Sequence, residues 1–273
     1  MVSRVLGEQV TIASLNTRGV PVTGSYLVRR YTLIGAELDA GDVDVACFQE
    51  VLSYWHLRLL ARGMPSFRYV SYRPSLAGPA GGLVTFSRLP LASTAYRGFG
   101  IPPQAPGISR PARCRAGMKG ALVTRLAQPQ VSIISTHPLS NRDGDWSAAN
   151  RFYPLHRAQL DALTQVVRGA SLLAVVCGDF NIDRDSALFS DFAEKTGLSD
   201  AFAGGCPATF RAEYLPAGET PHCIDFILTT DRVRVEGATV LFRDKVPLPD
   251  GPGYVSDHVG LRARLLVEAT ATT

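Results

Sequence analysis

Residues 173–181, LAVVCGDFN, constrain the fold of this chain more than any other stretch. Five apolar or small residues predict a short buried strand, and Gly178 allows the backbone to leave it sharply. The exit carries a carboxylate, Asp179, and an amide, Asn181, two positions apart. In an extended segment both side chains therefore lie on one face and project from one strand end. Turns use the same two residue types, so the pair alone leaves both a turn and a functional site open.

Other predicted strands end in polar residues of the same kind. Apolar runs at 10–15, 43–48 and 131–135 precede Asn16, Gln49-Glu50 and Thr136-His137, and the run 224–228 contains Asp225. Ser256-Asp257-His258 stands before a final alternating strand at 261–267. The polar residues collected at strand ends are Asn16, Glu50, His137, Asp179, Asn181, Asp225, Asp257 and His258.

The segments between these strands predict helices and further strands. Apolar residues at helical spacing form three sets: Leu27, Tyr31, Ile34 and Leu38; Leu160, Leu163 and Val167; and Leu188 with Phe192. Gly41 and Gly197 are predicted helix ends, and Ser53 is a predicted cap of a helix that runs toward Gly63. Residues 68–72, 81–88, 121–126 and 238–242 predict strands, with the 121–126 strand paired to the 131–135 strand.

Many strands with few helices favour an α+β fold in which two sheets pack face to face with helices outside. No repeat, low-complexity tract or long linker divides the chain, so residues 1–273 are predicted to form a single domain. Residues 97–118 are rich in Pro and Gly at first and then in Arg, and we expect a mobile loop there.

Composition narrows the class of protein. The chain has 46% hydrophobic and 19% charged residues, as in soluble globular proteins. It has no apolar run of the roughly 18 residues that a membrane span needs, and the first residues lack the apolar core of a signal peptide. We therefore expect a cytoplasmic protein. The five cysteines have no CxxC spacing and predict free thiols. The net charge of +4 favours anionic partners without indicating nucleic acid.

The strand-end residues indicate a chemistry. Carboxylates and amides are hard oxygen ligands, which suit Mg²⁺ or Mn²⁺ better than Zn²⁺. Magnesium held by one or two carboxylates, with phosphate oxygens on other positions, is usual at phosphoryl-transfer sites. Hydrolysis also needs a base and a hydrogen-bond donor, and two histidines can supply them, since one can take a proton from water and the other can donate to a phosphate oxygen. The set predicts phosphate-ester hydrolysis.

With these residues in place, the sequence resembles the endonuclease/exonuclease/phosphatase superfamily of deoxyribonuclease-like and sphingomyelinase-like hydrolases. The matching pieces follow the family's order from residue 10 to residue 267, and they are Leu15-Asn16-Thr17, Gln49-Glu50, Gly81-Gly82-Leu83 with Phe86-Ser87-Arg88, Thr136-His137, Gly178-Asp179-Phe180-Asn181, Ile224-Asp225-Phe226-Ile227-Leu228 and Ser256-Asp257-His258. The resemblance implies a four-layer α/β/β/α sandwich, with two mixed, mainly antiparallel sheets and a site where their strand ends meet.

The resemblance also implies roles for single residues. Glu50 is expected to be the main metal ligand with Asn16 beside it, and Asp257 a further carboxylate on the metal or phosphate side. His258, oriented by Asp225, is expected to activate the attacking water. Asp179 is expected to hold either that water or a metal. Asn181 and His137 are expected to bind phosphate oxygens.

The substrate is less constrained. Lys119, Arg113 and Arg115 are the candidate anion contacts, although a solvated loop explains them equally well, and Trp146 is a candidate border of the substrate site. His56, His156 and His222 are predicted to be structural. We expect a monomeric Mg²⁺- or Mn²⁺-dependent phosphodiesterase or phosphatase for a small or lipid-derived phosphate ester. A nuclease for DNA or RNA is the alternative within the same chemistry, and a catalytically silent binding module is the alternative from another class.

Overall fold

Alternating apolar side chains build two sheets, and helices cover the outer face of each. The structure is a computed structural model that describes residues 7–20, 25–102, 104, 106–141 and 143–268. In chain order the elements are β1 (Gly7–Asn16), α1 (Leu27–Ala40), β2 (Val45–Gln49), α2 (Tyr54–Gly63), β3 (Tyr69–Ser71), β4 (Val84–Ser87), β5 (Leu91–Gly98), α3 (Arg110–Gly117), β6 (Gly120–Leu126), β7 (Ser132–Thr136), α4 (Tyr153–Arg168), β8 (Ala174–Asp179), α5 (Ala187–Thr196), β9 (Ser199–Asp200), β10 (Asp225–Thr229), β11 (Val233–Leu241), β12 (Val246–Leu248), β13 (Gly251–Gly253) and β14 (Gly260–Glu268).

Each of the two large sheets has six strands. The first has the spatial order β11-β14-β1-β2-β4-β3, and the second has the order β5-β6-β7-β8-β10-β9. In each sheet the two central strands are parallel and joined through a helix: β1 and β2 through α1, and β7 and β8 through α4. The neighbouring strand pairs in both sheets are antiparallel. The predicted mixed, mainly antiparallel sheets are confirmed.

Three groups of buried side chains hold the layers together. Alternate residues of β1 face opposite ways, so Ile12 packs between the two sheets while Ala13 packs under α1 and α2. Between the sheets Ile12 joins residues such as Val175 and Ile227 of the second sheet. On the far side α4 and α5 cover the outer face of the second sheet around Phe226. The result is the predicted α/β/β/α sandwich.

The topology brings distant strand ends to one edge of the sandwich. The parallel strands β1, β2, β7 and β8 finish there with or just before polar residues. Asp225, at the start of β10, pairs directly with Asp179, at the end of β8, because these two strands are antiparallel. His258 lies just before β14, which runs antiparallel to β1 and so begins at the same edge. The order of strands, rather than the order of residues, creates the cleft.

Local predictions hold in most elements. Leu27, Tyr31, Ile34 and Leu38 are all buried on α1, and the Ser53 hydroxyl accepts a hydrogen bond from the His56 backbone N–H at the start of α2. Gly197 ends α5 with a left-handed φ of 67°.

Within the described residues, no helix is both long and apolar enough to cross a bilayer.

The segment predicted as a loop at 97–118 is different. Residues Arg110–Gly117 form α3, whose first turn is capped by the Ser109 hydroxyl. Ala112 and Ala116 of this helix are buried against Leu139 and Leu155. The Arg-rich composition hid these two small residues, which are spaced four apart and pack closely. Sequence reasoning also missed β5, because its alternation of apolar and polar residues is weak and none of its residues is buried.

Candidate active site

Asn16 lies at the centre of the cleft and joins carboxylates from both sheets. Its Nδ2 donates to Asp179 Oδ2 at 2.9 Å and faces Glu50 Oε1 at 3.4 Å. Glu50 has a left-handed backbone (φ 61°), and its other oxygen accepts a hydrogen bond from the Gly19 N–H at 3.1 Å. A left-handed non-glycine residue is strained, and such strain is often found at functional sites. As placed, Asn16 presents its NH₂ group to both carboxylates, so it acts here as a donor.

His258 and Asp225 form a buried hydrogen-bonded pair. The imidazole donates from Nδ1 to Asp225 Oδ2 at 2.8 Å, which leaves Nε2 facing Asp179 Oδ2 at 3.7 Å. The ring is fixed from one side by the edge-on ring of Phe210, with centroids 5.0 Å apart. Burial alone lowers the pKa of His258, but the Asp225 and Asp179 carboxylates more than offset this and raise it to about 10.

Asp179 is the second buried carboxylate of the cleft. Burial, with a smaller contribution from the Asp225 charge, raises the pKa of Asp179 to about 7 against the attraction of His258, which lowers it. Gly178 makes this position reachable, because its φ is 138° and a Cβ there would lie 2.0 Å from the Thr136 carbonyl oxygen. Only glycine fits between β7 and β8 at this point, so the strand can end with Asp179 aimed into the cleft.

His137 and Lys119 approach Asp179 from the side of β7 and β6. Lys119 Nζ lies 3.2 Å from His137 Nδ1, and His137 Nε2 lies 3.4 Å from Asp179 Oδ2. This arrangement matches a neutral ring that accepts from the ammonium group and carries its proton on Nε2. Burial, with repulsion from Lys119 and His258, holds the pKa of His137 well below its usual value. The pKa of Lys119 is lowered by burial, against the attraction of Asp179 and Glu50.

Asn181 lies beside Asp179, but not for the reason that the sequence predicts. The predicted shared face needs an extended backbone, whereas Asn181 is left-handed (φ 54°) and its N–H donates to Asp179 Oδ1 at 2.8 Å. The pair therefore forms a tight turn. The Asn181 side chain donates to the Pro138 carbonyl at 3.2 Å, and Trp146 donates from its indole N–H to the Asn181 carbonyl at 2.9 Å. Trp146 thus borders the cleft, with its ring against His222.

Asp257 lies on the opposite side of the cleft, where it pairs with Arg18. The distance from Arg18 Nε to Asp257 Oδ2 is 3.5 Å, and the guanidinium lies 4.4 Å from the centre of the Tyr214 ring. The Ser256 hydroxyl donates to the Asn16 carbonyl at 2.6 Å, which ties the residues before β14 to the end of β1. Asp257 therefore lies at the cleft, but its contacts are with Arg18 and Ser256 rather than with Glu50.

The structure separates the three predicted cationic contacts. Lys119 reaches the cleft, as described above. Arg113 donates to the Pro102 carbonyl at 2.8 Å, and Arg115 is exposed on α3. Arg113 therefore stabilises the segment before α3, and neither arginine has a described contact with the carboxylates or histidines of the cleft.

Two positioning residues carry no recognisable sequence signal. Thr209, fully buried, accepts hydrogen bonds from the N–H groups of Ile224 and Asp225 at 2.9 and 3.0 Å. Arg30, buried in α1, donates to the carbonyls of Thr17 and Val255 and so clamps together two loops that bring residues to the cleft. Both act through the backbone of residues far away in the chain. Only the tertiary structure reveals such contacts.

The donor set fits a divalent cation. Two carboxylates, Asp179 and Asp225, are buried, and the Asn16 amide lies between Asp179 and a third carboxylate, Glu50. Among the described residues Asp225 Oδ1 has no hydrogen-bond partner. Ligand atoms of Asp179, Asp225 and His258 lie within 4.8 Å of one another. Burial is the main cause of the raised pKa of Asp179, and the charge of Asp225 adds to it, so the two carboxylates are costly to keep charged together. A hard cation would balance their charge, and oxygen donors are the ligands such a cation prefers.

The fold and the cleft together define a class: a two-sheet sandwich with an acid–histidine site at its strand ends. Residues 13–258 match the model of the Endonuclease/Exonuclease/phosphatase family. The chain belongs to this family. Among curated protein sequences, no significant match was found.

Solved structures share the fold at low identity. Sphingomyelinase C from Streptomyces griseocarneus is 18% identical with a TM-score of 0.68, over 94% of this chain and 99% of that one. D. rerio TDP2, complexed with a single-strand DNA product, is 17% identical with a TM-score of 0.70, over 94% and 98%. A beta toxin mutant from Staphylococcus aureus with bound magnesium ions is 17% identical with a TM-score of 0.68, over 96% and 100%.

Proposed function

We propose that this protein hydrolyses a phosphate ester, either a diester or a monoester of a small or lipid-derived molecule, with the help of Mg²⁺ or Mn²⁺. The observation that carries the proposal is the buried Asp225–His258 pair, whose free Nε2 faces Asp179 in a cleft that also holds Glu50. Family membership supports hydrolysis of this bond type. The magnesium bound in the beta toxin structure supports the choice of cation.

The roles of the residues follow from their contacts. His258, held by Asp225, is placed to take a proton at Nε2 from an attacking water that Asp179 orients. The carboxylates that raise the pKa of His258 to about 10 favour its charged form, and a cation bound beside them would offset their charge and favour the neutral, proton-accepting ring. His137 and Asn181 flank Asp179 and bind phosphate oxygens, with the Lys119 charge behind His137. Trp146 borders the substrate.

We assign Glu50 to the cation together with Asp179, because the Asn16 amide lies between these two carboxylates and Glu50 is partly exposed to solvent, whereas Asp225 also binds His258. Asn16 would join Glu50 through its amide oxygen, which in the structure accepts a hydrogen bond from the Arg18 N–H, and Asp257 is the carboxylate on the other side of the cleft. The cation, when bound, supplies positive charge to the phosphate oxygens.

The test uses bis-p-nitrophenyl phosphate with Mg²⁺ or Mn²⁺, with and without EDTA. We expect the wild-type protein to hydrolyse this substrate and EDTA to abolish the activity. In His258→Ala, kcat should fall about 10²- to 10⁴-fold. In Glu50→Gln, the cation concentration needed for half-maximal activity should rise at least about tenfold. Glu37→Gln, which changes a carboxylate on α1 outside the cleft, is the control and should retain full activity. Thermal unfolding of each variant checks the fold. Hydrolysis that persists in His258→Ala would refute the proposed role of that residue.

Two other functions are tested in the same series. TDP2 with its DNA product favours a nuclease as the second candidate. Rapid nicking of plasmid DNA, lost in His258→Ala, would establish it in place of a small or lipid-derived ester. Inactivity of the wild-type protein on every phosphate ester tried, including single-stranded RNA and sphingomyelin, would instead favour a binding module.

A further inference from the structure

Charge is divided unevenly along the chain. Between Glu50 and Asp143 there is no acidic residue, although this stretch contains twelve Lys and Arg residues. The whole chain has a net charge of only +4, so the remaining residues carry an excess of acid. The modest total conceals a strongly cationic part that includes α2, α3 and β3 to β6.

The arginines of this part are free to attract an anionic partner. Eight of them are exposed: Arg58, Arg62, Arg68, Arg73, Arg97, Arg110, Arg115 and Arg125. None of the eight forms an ion pair with another described residue. Their charge is therefore not neutralised within the described part of the chain.

Strand direction places part of this charge at the mouth of the cleft. Since β2 and β3 are both antiparallel to β4, Arg73 follows β3 at the edge where β2 leads to Glu50. Arg97 lies near the end of β5, where Gly98 pairs with Gly120. Gly120 follows Lys119, which contacts His137 in the cleft. The backbone positions of Arg73 and Arg97 therefore lie at the same edge of the sandwich, one on each sheet.

Large apolar side chains are exposed at the same edge. Leu76 is fully exposed, and the exposed fractions of Ile101 and Met118 are 68% and 64%. Trp55, at the start of α2, is 46% exposed. Contacts join these positions, because Tyr54 donates to the Ser75 carbonyl at 2.7 Å and Tyr96 donates to the Met118 carbonyl at 3.0 Å.

A further contact completes this line of residues. Arg73 lies over the Tyr96 ring, 5.9 Å from its centre, and so connects the loop of Leu76 to the strand that contacts Met118. We name the surface formed by Trp55, Arg73, Leu76, Arg97, Ile101 and Met118 the cationic–apolar rim.

We propose that the cationic–apolar rim docks on an anionic lipid bilayer. Arginines near a negatively charged membrane surface gain electrostatic attraction, and apolar side chains between them gain by entering the headgroup region. A nucleic acid would satisfy the arginines but would leave the apolar residues without a partner, because protein–nucleic acid interfaces are polar as well as basic. The docking proposal does not depend on catalytic activity. Its corollary, that the substrate is a membrane phospholipid, rests on the proposed function.

Vesicle flotation tests the docking. The wild-type protein should bind vesicles of phosphatidylcholine and phosphatidylserine in equal parts, and should bind pure phosphatidylcholine vesicles far less. Arg73→Gln with Arg97→Gln should weaken binding to the mixed vesicles about 25-fold, since each arginine near the surface contributes about 1 kcal/mol. Leu76→Ser with Met118→Ser should weaken it roughly tenfold, through lost apolar contact.

Matched controls lie at the opposite end of the sandwich. Arg125→Gln, at the far end of β6, and Leu172→Ser, just before β8 and 73% exposed, should bind the mixed vesicles like the wild type. The rim variants should hydrolyse soluble bis-p-nitrophenyl phosphate at the wild-type rate, because they leave the cleft intact. Vesicle binding and soluble hydrolysis are separate measurements, so failure of one is distinguishable from failure of the other.

Two results would overturn the docking proposal. One is absence of binding to the mixed vesicles, or equal weakening in the rim and control variants. The other is binding to a DNA duplex that depends on Arg73 and Arg97 but not on Leu76 and Met118, with no binding to vesicles. The second result would assign the rim to nucleic acid.

Discussion

His258 and His156 are almost equally buried, yet their surroundings shift their pKa values in opposite directions. His258 bonds through Nδ1 to the Asp225 carboxylate and faces Asp179, and its pKa rises to about 10. His156, in α4, bonds through Nε2 to the Leu139 carbonyl at 2.9 Å, and burial lowers its pKa to about 4. A carbonyl compensates burial of a charge much less than two carboxylates do. Burial alone therefore does not set the direction in which the pKa of a buried histidine shifts, but the charge of its partners does.

The largest effect should come from removing the charge that holds His258. Asp225→Asn keeps the shape of the side chain but removes its negative charge, and we expect kcat on bis-p-nitrophenyl phosphate to fall about 10²- to 10⁴-fold. The pKa of His258 should fall as well, because Asp225 raises it. The neutral, proton-accepting ring would then persist to lower pH, so the acid limb of the kcat/KM profile should move to lower pH. An unchanged profile would mean that His258 is not the base.

His156 should affect stability rather than activity. Since its folded-state pKa is depressed to about 4, its contribution is intact above the unfolded value of 6.5 and is lost as the pH falls, because the unfolded chain takes up the proton first. Between pH 7.5 and 5 this histidine should cost about 2 kcal/mol. Urea unfolding at the two pH values should show a smaller difference for His156→Gln than for the wild type. If the two differences are equal, another group causes the acid sensitivity.

The smallest effect concerns a third buried histidine, His56 of α2. Burial, together with the charge of Arg30, lowers its pKa, and its partner is the hydroxyl of Ser53, 3.0 Å from Nδ1. Ser53 also caps the helix through the His56 N–H. Ser53→Ala should lower the free energy of unfolding by about 1 kcal/mol, while Ser53→Thr, which retains a capping oxygen, should cost less. Both values come from urea unfolding at neutral pH, and a larger cost for threonine would contradict the capping role.

Much of the architecture was predictable because it depends on local patterns. Apolar runs located most strands, and the spacing of Leu27, Tyr31, Ile34 and Leu38 located α1 and its buried face. The pattern failed at β5, which exposes most of its side chains, and at α3, which buries only Ala112 and Ala116. Small buried residues and exposed edge strands leave weak periodicity, since periodicity records only the burial of apolar side chains.

By itself, the sequence determined the order of polar strand ends, from Asn16 to His258, and through them the family of the chain. Only the tertiary structure decided which atoms meet. The pairing of Asp225 with Asp179 in register, the left-handed turn at Asn181, and the clamps made by Thr209 and Arg30 depend on contacts between residues far apart in the chain. Electrostatic interactions depend on distance and burial in space, and for this reason the shifted pKa values of His258 and Asp179 emerge only when both sheets are in place.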